Sequence, residues 1–321
     1  MVSEGSFISD VGGTNIRLAL VENNEIYGIK KYFCADFETI ADAIEQFRLD
    51  SGLVRFSNGC IAIAGPVSDD RITMTNHSWE FSRTALANQL KMDDLQVIND
   101  FTAVAFSLPE LGDGQLIQVG NGSRLPQGNI AVFGPGTGLG VEHLTLTKNG
   151  WQTLDGEGGH VDFAPNDDID LQIWRYLKSK FGRVSTEEVL SGRGLVNVYT
   201  ALSLEHGQEP SLFDPAEITQ AAQSKSDAVC ELAVQQFCRI MGAFAGNLAL
   251  NLCATGGVFI GGGVTSKLGD MFLQSDFRKY FEAKGAMADY VKPIPTYLIN
   301  EPEHGLIGAK AYLKQHIEQT K

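Results

Sequence analysis

A carboxylate that follows an apolar strand and precedes a helix is well placed to reach the edge of a sheet, and Asn99-Asp100 has that setting. In one reading Asp100 is only a helix cap. In the other its carboxylate projects from the strand end and takes a proton from an attacking hydroxyl, assistance worth about 10²–10⁴ in rate. A second chemistry is written in glycine and threonine. Asp10-Val11-Gly12-Gly13-Thr14-Asn15 and Gly134-Pro135-Gly136-Thr137-Gly138-Leu139-Gly140 each follow a strand and lead into another. Such a turn aims several backbone N–H groups and a hydroxyl at one anion. Each alone reads equally well as a plain hairpin, whereas two in matching positions can grip a polyphosphate from both sides. Asp10, at its strand end, is then placed to hold a hydrated Mg²⁺ that bridges phosphate oxygens.

Further polar groups fit small neutral hydroxyls, which both donate and accept. Gly156-Glu157-Gly158-Gly159-His160 presents Glu157 and His160 from a glycine-rich loop. Their E-x-x-H spacing needs a helix to bind metal, and the two glycines argue against one. His160 reads either as a structural hydrogen-bonder or as a binder. Glu187 and Glu188 suit a helix start, and Glu187 can add one acceptor to a polyol site. The segment 256–264, with Gly261 and Gly262, reads either as close packing of a strand on the preceding helix or as a floor for an adenine ring. His77, His143 and His206 have no evident partner.

The rival nucleotide motifs are absent: there is no G-x-x-x-x-G-K-[ST], no H-R-D and no D-F-G. The 134–140 cluster runs into a strand rather than a helix, which excludes the dinucleotide fingerprint.

The positioning elements follow from pattern. Strands are expected at 7–10, 16–21, 26–33, 60–64, 72–75, 95–98, 129–133, 139–147, 151–154, 257–261 and 296–299. Helices are expected at 39–49, 82–90, 101–108, 168–181, 186–204 in pieces, 216–252 and 305–315. The strand–glycine turn–strand plan therefore recurs, predicting an α/β fold of two duplicated halves with a cleft between them, where ligands favour the interface. The halves join by a short connection near 108–115.

The 25 Lys+Arg against 39 Asp+Glu give a net charge of −14, which argues against nucleic acid and anionic lipid as partners. Five scattered cysteines without a CxxC pair read as reduced core thiols of a cytoplasmic protein. The first ten residues lack a signal-peptide pattern. The apolar stretch 246–264, broken by Asn247, Asn251 and glycines, is a poor membrane span.

Taken in order, Asp10 to Asn15, Asn99-Asp100, Gly134 to Gly140, Glu157-Gly158-Gly159-His160, Ser185 to Leu190 and Gly257 to Gly263 closely resemble the bacterial ATP-dependent glucokinases, the zinc-free branch of the hexokinase/actin-like ATPase superfamily. The resemblance spans essentially the whole chain. It implies a two-domain actin-like (ribonuclease H-like) fold with βββαβα-type halves, the small domain at 1–110 plus 301–321 and the large at 111–300. It implies D-glucose and MgATP as ligands, Asp100 as catalytic base, and Asn99, Asp100, Glu157, His160 and Glu187 as sugar-binding positions. Asp10, Val11, Gly12, Gly13, Thr14, Asn15, Gly136, Thr137 and Gly138 match phosphate loops, and Gly261 and Gly262 the adenosine side. Members are commonly homodimers. Two departures stand out: Ser9 replaces the usual Gly, and the C-x-C-G-x-x-G-C zinc cluster of related repressor kinases is missing, as is any helix-turn-helix domain. The alternatives are a kinase for another hexose or N-acyl amino sugar, and an actin-like ATPase that transfers nothing to sugar.

Overall fold

Alternation along β1 (Glu4–Val11) sends Phe7 and Val11 to one face of a sheet and Ile8 to the other, all three buried. β2 (Asn15–Glu22) and β3 (Glu25–Phe33) complete an antiparallel meander. Helix α1 (Ile40–Asp50), β4 (Arg55–Ile63), the hairpin β5 (Arg71–Thr73) and β6 (Glu80–Ser82), α2 (Arg83–Gln89), β7 (Asp94–Asn99) and α3 (Asp100–Ser107) follow. The computed structural model describes residues 4–67, 69–74 and 77–320, so Thr75, expected to end a strand, lies outside the described residues.

Then come β8 (Leu116–Gln118), β9 (Ile130–Pro135), β10 (Leu139–Thr147), β11 (Gly150–Thr153), α4 (Asp168–Phe181), α5 (Gly192–Glu205), α6 (Pro215–Gln223) and α7 (Ala228–Leu252). The chain closes with β12 (Gly257–Ile260), α8 (Gly263–Leu268), α9 (Asp270–Leu273), α10 (Phe277–Glu282), α11 (Ala288–Val291), β13 (Thr296–Ile299) and α12 (His304–Gln319). The single helix expected over 216–252 is two. Lys225 takes a left-handed φ of 56° between them, and Asp227 restarts the helix by accepting from Val229 N (2.8 Å) and Cys230 N (3.1 Å).

The chain forms two compact units. One comprises Met1–Gly112, Thr147–Trp151 and Glu301–Lys321, the other Asp113–Leu146 and Gln152–Asn300. The first unit carries a five-stranded sheet in the order β3-β2-β1-β4-β7, with β1, β4 and β7 parallel. One face, with Phe7, Ile61, Ile63 and Val97, packs on Ile40, Ile44 and Phe47 of α1. The other carries small residues, Ala19, Cys60 and Ala62, which let α3 and α12 lie close. A Cβ on Gly308 of α12 would fall 1.6 Å from Ala103 O of α3, so only glycine fits that crossing. Ser9 is fully buried on the α1 face and its hydroxyl finds no partner among the described residues.

The second unit carries a six-stranded sheet, β11-β10-β9-β12-β13-β8, with β9, β12 and β13 parallel. Its core is helical, built around α7, whose Gly242 and Gly246 bring it against the backbone of Phe277 and Phe281. Both sheets set an antiparallel hairpin beside a parallel trio, and β8 adds an antiparallel edge to the second. Four cysteines are buried thiols as expected; Cys253, at the end of α7, is exposed because its left-handed backbone turns it out of the helix. Among the described residues no helix is long and apolar enough to cross a membrane, and no group of three or more His, Cys, Asp or Glu is arranged to hold a metal.

Candidate active site

Parallel strands present their C-terminal ends together, and in the first unit these are Val11, Ile63 and Asn99. Asn99, not Asp100, caps α3: its Oδ1 accepts from Phe101 N (2.8 Å) and Thr102 N (3.4 Å), while Nδ2 donates to Gly65 O (2.9 Å). The amide of Asn99 is thus engaged at both ends. Asp100 is the first helical residue and accepts from Phe101 N at 2.9 Å. Burial pushes its carboxyl up to about 6, against the backbone hydrogen bond from Phe101, and the negative charge of Asp10 adds to the rise.

Asp10 pairs in register with Arg17 of β2 and Ala62 of β4. Burial raises its pKa, while Arg17, whose Nη1 lies 3.4 Å from Oδ2, and His304 pull it down and Glu303 raises it. The turn beyond is closed by Gly12 N donating to Asn15 O (2.9 Å) and anchored by Cys34 N donating to Thr14 O (2.9 Å). Neither Gly12 nor Gly13 has a left-handed φ, and a Cβ on Gly12 would meet only Asn15 O, 3.7 Å away. The fold does not require glycine at position 12; glycine there keeps the space over the turn empty. Thr14 is exposed, whereas the Val11 side chain is in the core and offers only backbone. Asn15 Oδ1 is buried without a partner among the described residues.

In the second unit Gly136 N donates to Gly138 O (2.8 Å), and Gly136 O accepts from Gly192 N (2.8 Å). Thr137 is exposed. Glu187, in a one-turn 3₁₀ helix (Thr186–Glu188), reaches this turn: its Oε2 accepts from Leu139 N (3.0 Å) and Oε1 lies 3.3 Å from Arg193 Nη2. A second 3₁₀ turn, Gly158–His160, stands beside it, stitched by Thr186 N to Val161 O (2.8 Å) and Phe163 N to Val184 O (3.0 Å). The glycines here serve close approach. A Cβ on Gly159 would fall 2.2 Å from Leu139 O, and one on Gly158 2.8 Å from Val141 Cγ1. With its back against β10, the loop turns Glu157 and His160 outward, both exposed. Gly136, Thr137, Gly138, Glu157, His160 and Glu187 therefore form one neighbourhood.

Gly261 N donates to Phe133 O (2.8 Å), and Gly262, at φ 83°, packs on Pro135, where a Cβ would lie 2.4 Å from the carbonyl oxygen. The close approach of these glycines is thus to β9, while Val258 and Ile260 of β12 pack in one core with α7 as expected. His77 stacks edge-on against Trp79, and half-buried His143, its pKa lowered by burial, faces Leu154 O.

Sequence reasoning missed Arg17 and Gly305. Arg17 was legible as the residue opposite Asp10 in a hairpin that also pairs Val11 with Ile16. Gly305 was legible only as a glycine near a helix start; a Cβ there would sit 2.9 Å from Asp10 Cγ, so α12 begins directly against that carboxylate.

Comparison with known proteins agrees over the whole chain. Residues 7–316 match the family model described as Glucokinase. The chain is 46% identical over 310 residues to a glucokinase of Pectobacterium atrosepticum, covering 96% of each chain, and 45% identical over 314 residues to one of Yersinia pestis, covering 97% of each. The crystal structure of a glucokinase from an Antarctic psychrotroph matches with a TM-score of 0.91 at 33% identity, over 97% of this chain and 98% of that one. On the strength of the family match and these identities, the chain belongs to the glucokinase family of ATP-dependent hexose kinases.

Proposed function

We propose that this chain transfers the γ-phosphoryl group of ATP to the 6-hydroxyl of D-glucose, giving glucose 6-phosphate and ADP, with Asp100 as general base. The observation that carries this reading is the division of labour at 99–100: Asn99 holds the helix, so the Asp100 carboxylate is not consumed as its cap. Its pKa, pushed up to about 6, lets it accept a proton near neutral pH and still be ionised there. As the 6-oxygen attacks the γ-phosphorus, its proton passes to Asp100. The bond to the bridging oxygen breaks and ADP leaves. Little covalent chemistry remains for the protein; positioning and charge neutralisation do the rest.

In this reading Glu157, His160 and Glu187 receive sugar hydroxyls, the two Gly/Thr turns bind phosphates through backbone N–H groups, and Gly261-Gly262 lies on the adenosine side. The like strand orders of the two sheets support a duplicated architecture. Asp10, with the oxygen of Asn15 that has no partner among the described residues at the other end of the adjoining turn, offers the hard oxygen donors that Mg²⁺ prefers, so the residues fit the ion. The ion, bound with ATP, neutralises phosphate charge.

Coupled ATP turnover with D-glucose tests the proposal. Asp100→Ala should lower kcat by about 10²–10⁴ while glucose still binds; normal turnover in that variant removes Asp100 from the mechanism. A panel of hexoses and N-acyl amino sugars, compared by kcat/KM, tests the choice of sugar.

A further inference from the structure

Two carboxylates of the first unit share one guanidinium. Arg17 Nη1 lies 3.4 Å from Asp10 Oδ2, 3.3 Å from Pro302 O and 3.9 Å from Glu303 Oε2. Glu303 immediately precedes α12, and its backbone N–H is tied to Glu301 Oε1 at 2.9 Å. Its Oε2 is buried and has no hydrogen-bond partner among the described residues. A buried carboxylate oxygen without a donor is rare and costly, so the arrangement is expected to have a second state that satisfies it. The start of α12 cannot swing away to find one, because Gly305 abuts Asp10 and Gly308 abuts Ala103. The nearby donor is the guanidinium that leans on Asp10.

We propose that Glu303 is a positioning residue that takes Arg17 over from Asp10 when a divalent cation reaches the Asp10 carboxylate. The inference rests on Asp10 as the cation's carboxylate. A guanidinium 3.4 Å from that carboxylate repels an arriving divalent cation. Closing the 3.9 Å gap to a charge-assisted hydrogen bond of about 2.8 Å takes a shift of roughly 1 Å, pivoting on Pro302 O. Arg17 thus shields Asp10 while no cation is bound, and Glu303 gives it somewhere to go. Without Glu303 the guanidinium stays on Asp10 and competes with the cation.

The test is titration of the full-length protein with Mn²⁺ in the presence of a β,γ-imido analogue of ATP, read by electron paramagnetic resonance without turnover. Glu303→Gln is expected to weaken Mn²⁺ binding about five- to tenfold. In the Arg17→Gln background the same change should have almost no effect, because the competitor is gone. A merely structural Glu303 would lower the melting temperature and leave the metal titration alone. Wild-type Mn²⁺ affinity in Glu303→Gln, or a loss that persists undiminished without Arg17, overturns the proposal. Asp10→Asn separates the two layers: lost binding upholds Asp10 as the anchor whatever Glu303 does, whereas undiminished binding overturns that reading and the handover with it. Should Glu303→Gln not fold, Glu303→Asp keeps the charge but withdraws it by one methylene and is expected to give an intermediate affinity; wild-type affinity there, with folding intact, counts against the handover.

Discussion

The two Gly/Thr turns start from one plan and end as different devices. The first is closed by hydrogen bonds alone; a Cβ on Gly12 would make only an ordinary 3.7 Å contact with Asn15 O, and the adjacent carboxylate, Asp10, lies in the preceding strand and is pushed towards protonation by burial. The second is wedged at one end: a Cβ on Gly138 would fall 2.7 Å from Glu187 Oε2, while one on Gly136 would come no closer than 4.0 Å to Gly138 O. Gly159 presses on Leu139, and the nearby carboxylate, Glu187, arrives from a separate 3₁₀ turn and is held by Leu139 N and by Arg193. On the proposed reading both turns meet phosphate; the one beside Asp10 leaves room above Gly12, whereas the one at 136–138 also backs the loop proposed to face the sugar and is fixed at Gly138 and Gly159 by contacts that tolerate no extra atom.

Three substitutions sharpen that contrast. The larger of the two glycine effects is expected at the wedge. Gly159→Ala must displace the loop from Leu139, costing about 1–3 kcal/mol of stability and, because a 1 Å misplacement suffices, about 10²-fold in kcat/KM for glucose. Calorimetry with steady-state kinetics reads both, and a wild-type profile would deny the wedge. Next comes Asp100→Asn. A carboxyl raised by folding adds stability below its unfolded pKa, and that contribution is lost as pH rises through about 6. The asparagine variant should therefore be more stable than wild type at pH 8 by about 2–3 kcal/mol and match it near pH 4. Equal melting at both pH values contradicts a buried, charged Asp100. The smallest effect is at the open turn: Gly12→Ala should fold normally, within about 0.5 kcal/mol, yet raise KM for MgATP about tenfold. Lost stability with unchanged KM would reverse the roles assigned to the two turns.

Much of the fold was legible in the sequence because its signals are local. Period-two alternation gave the strands, and the Gly/Thr clusters gave the turns between them. Asp100 was legible as a residue between an apolar strand and a helix, but its cap was not. Asn and Asp compete for that position with similar propensity, and only the structure shows Asn99 taking it. The break between α6 and α7 was hidden because Ser224 to Asp227 contains neither proline nor glycine. The reasons for the glycines were hidden as well. Gly12 leaves a space, Gly159 and Gly305 permit close approach, and Gly262 also needs its positive φ; sequence shows only that all are glycine. Arg17 and Glu303 escaped notice because they lie 286 positions apart in sequence and meet only through α12.

On the proposed reading the Asp100 carboxylate receives the sugar's proton, and the pH dependence of kcat/KM for D-glucose at saturating MgATP reads that transfer. Protonation disables the base, so the rate should fall tenfold per pH unit below about 6, with a plateau above it. Asp100→Asn should show a much lower rate without that acidic limb. A wild-type rate that stays flat well below pH 5, or an acidic limb that survives intact in Asp100→Asn, would contradict the claim.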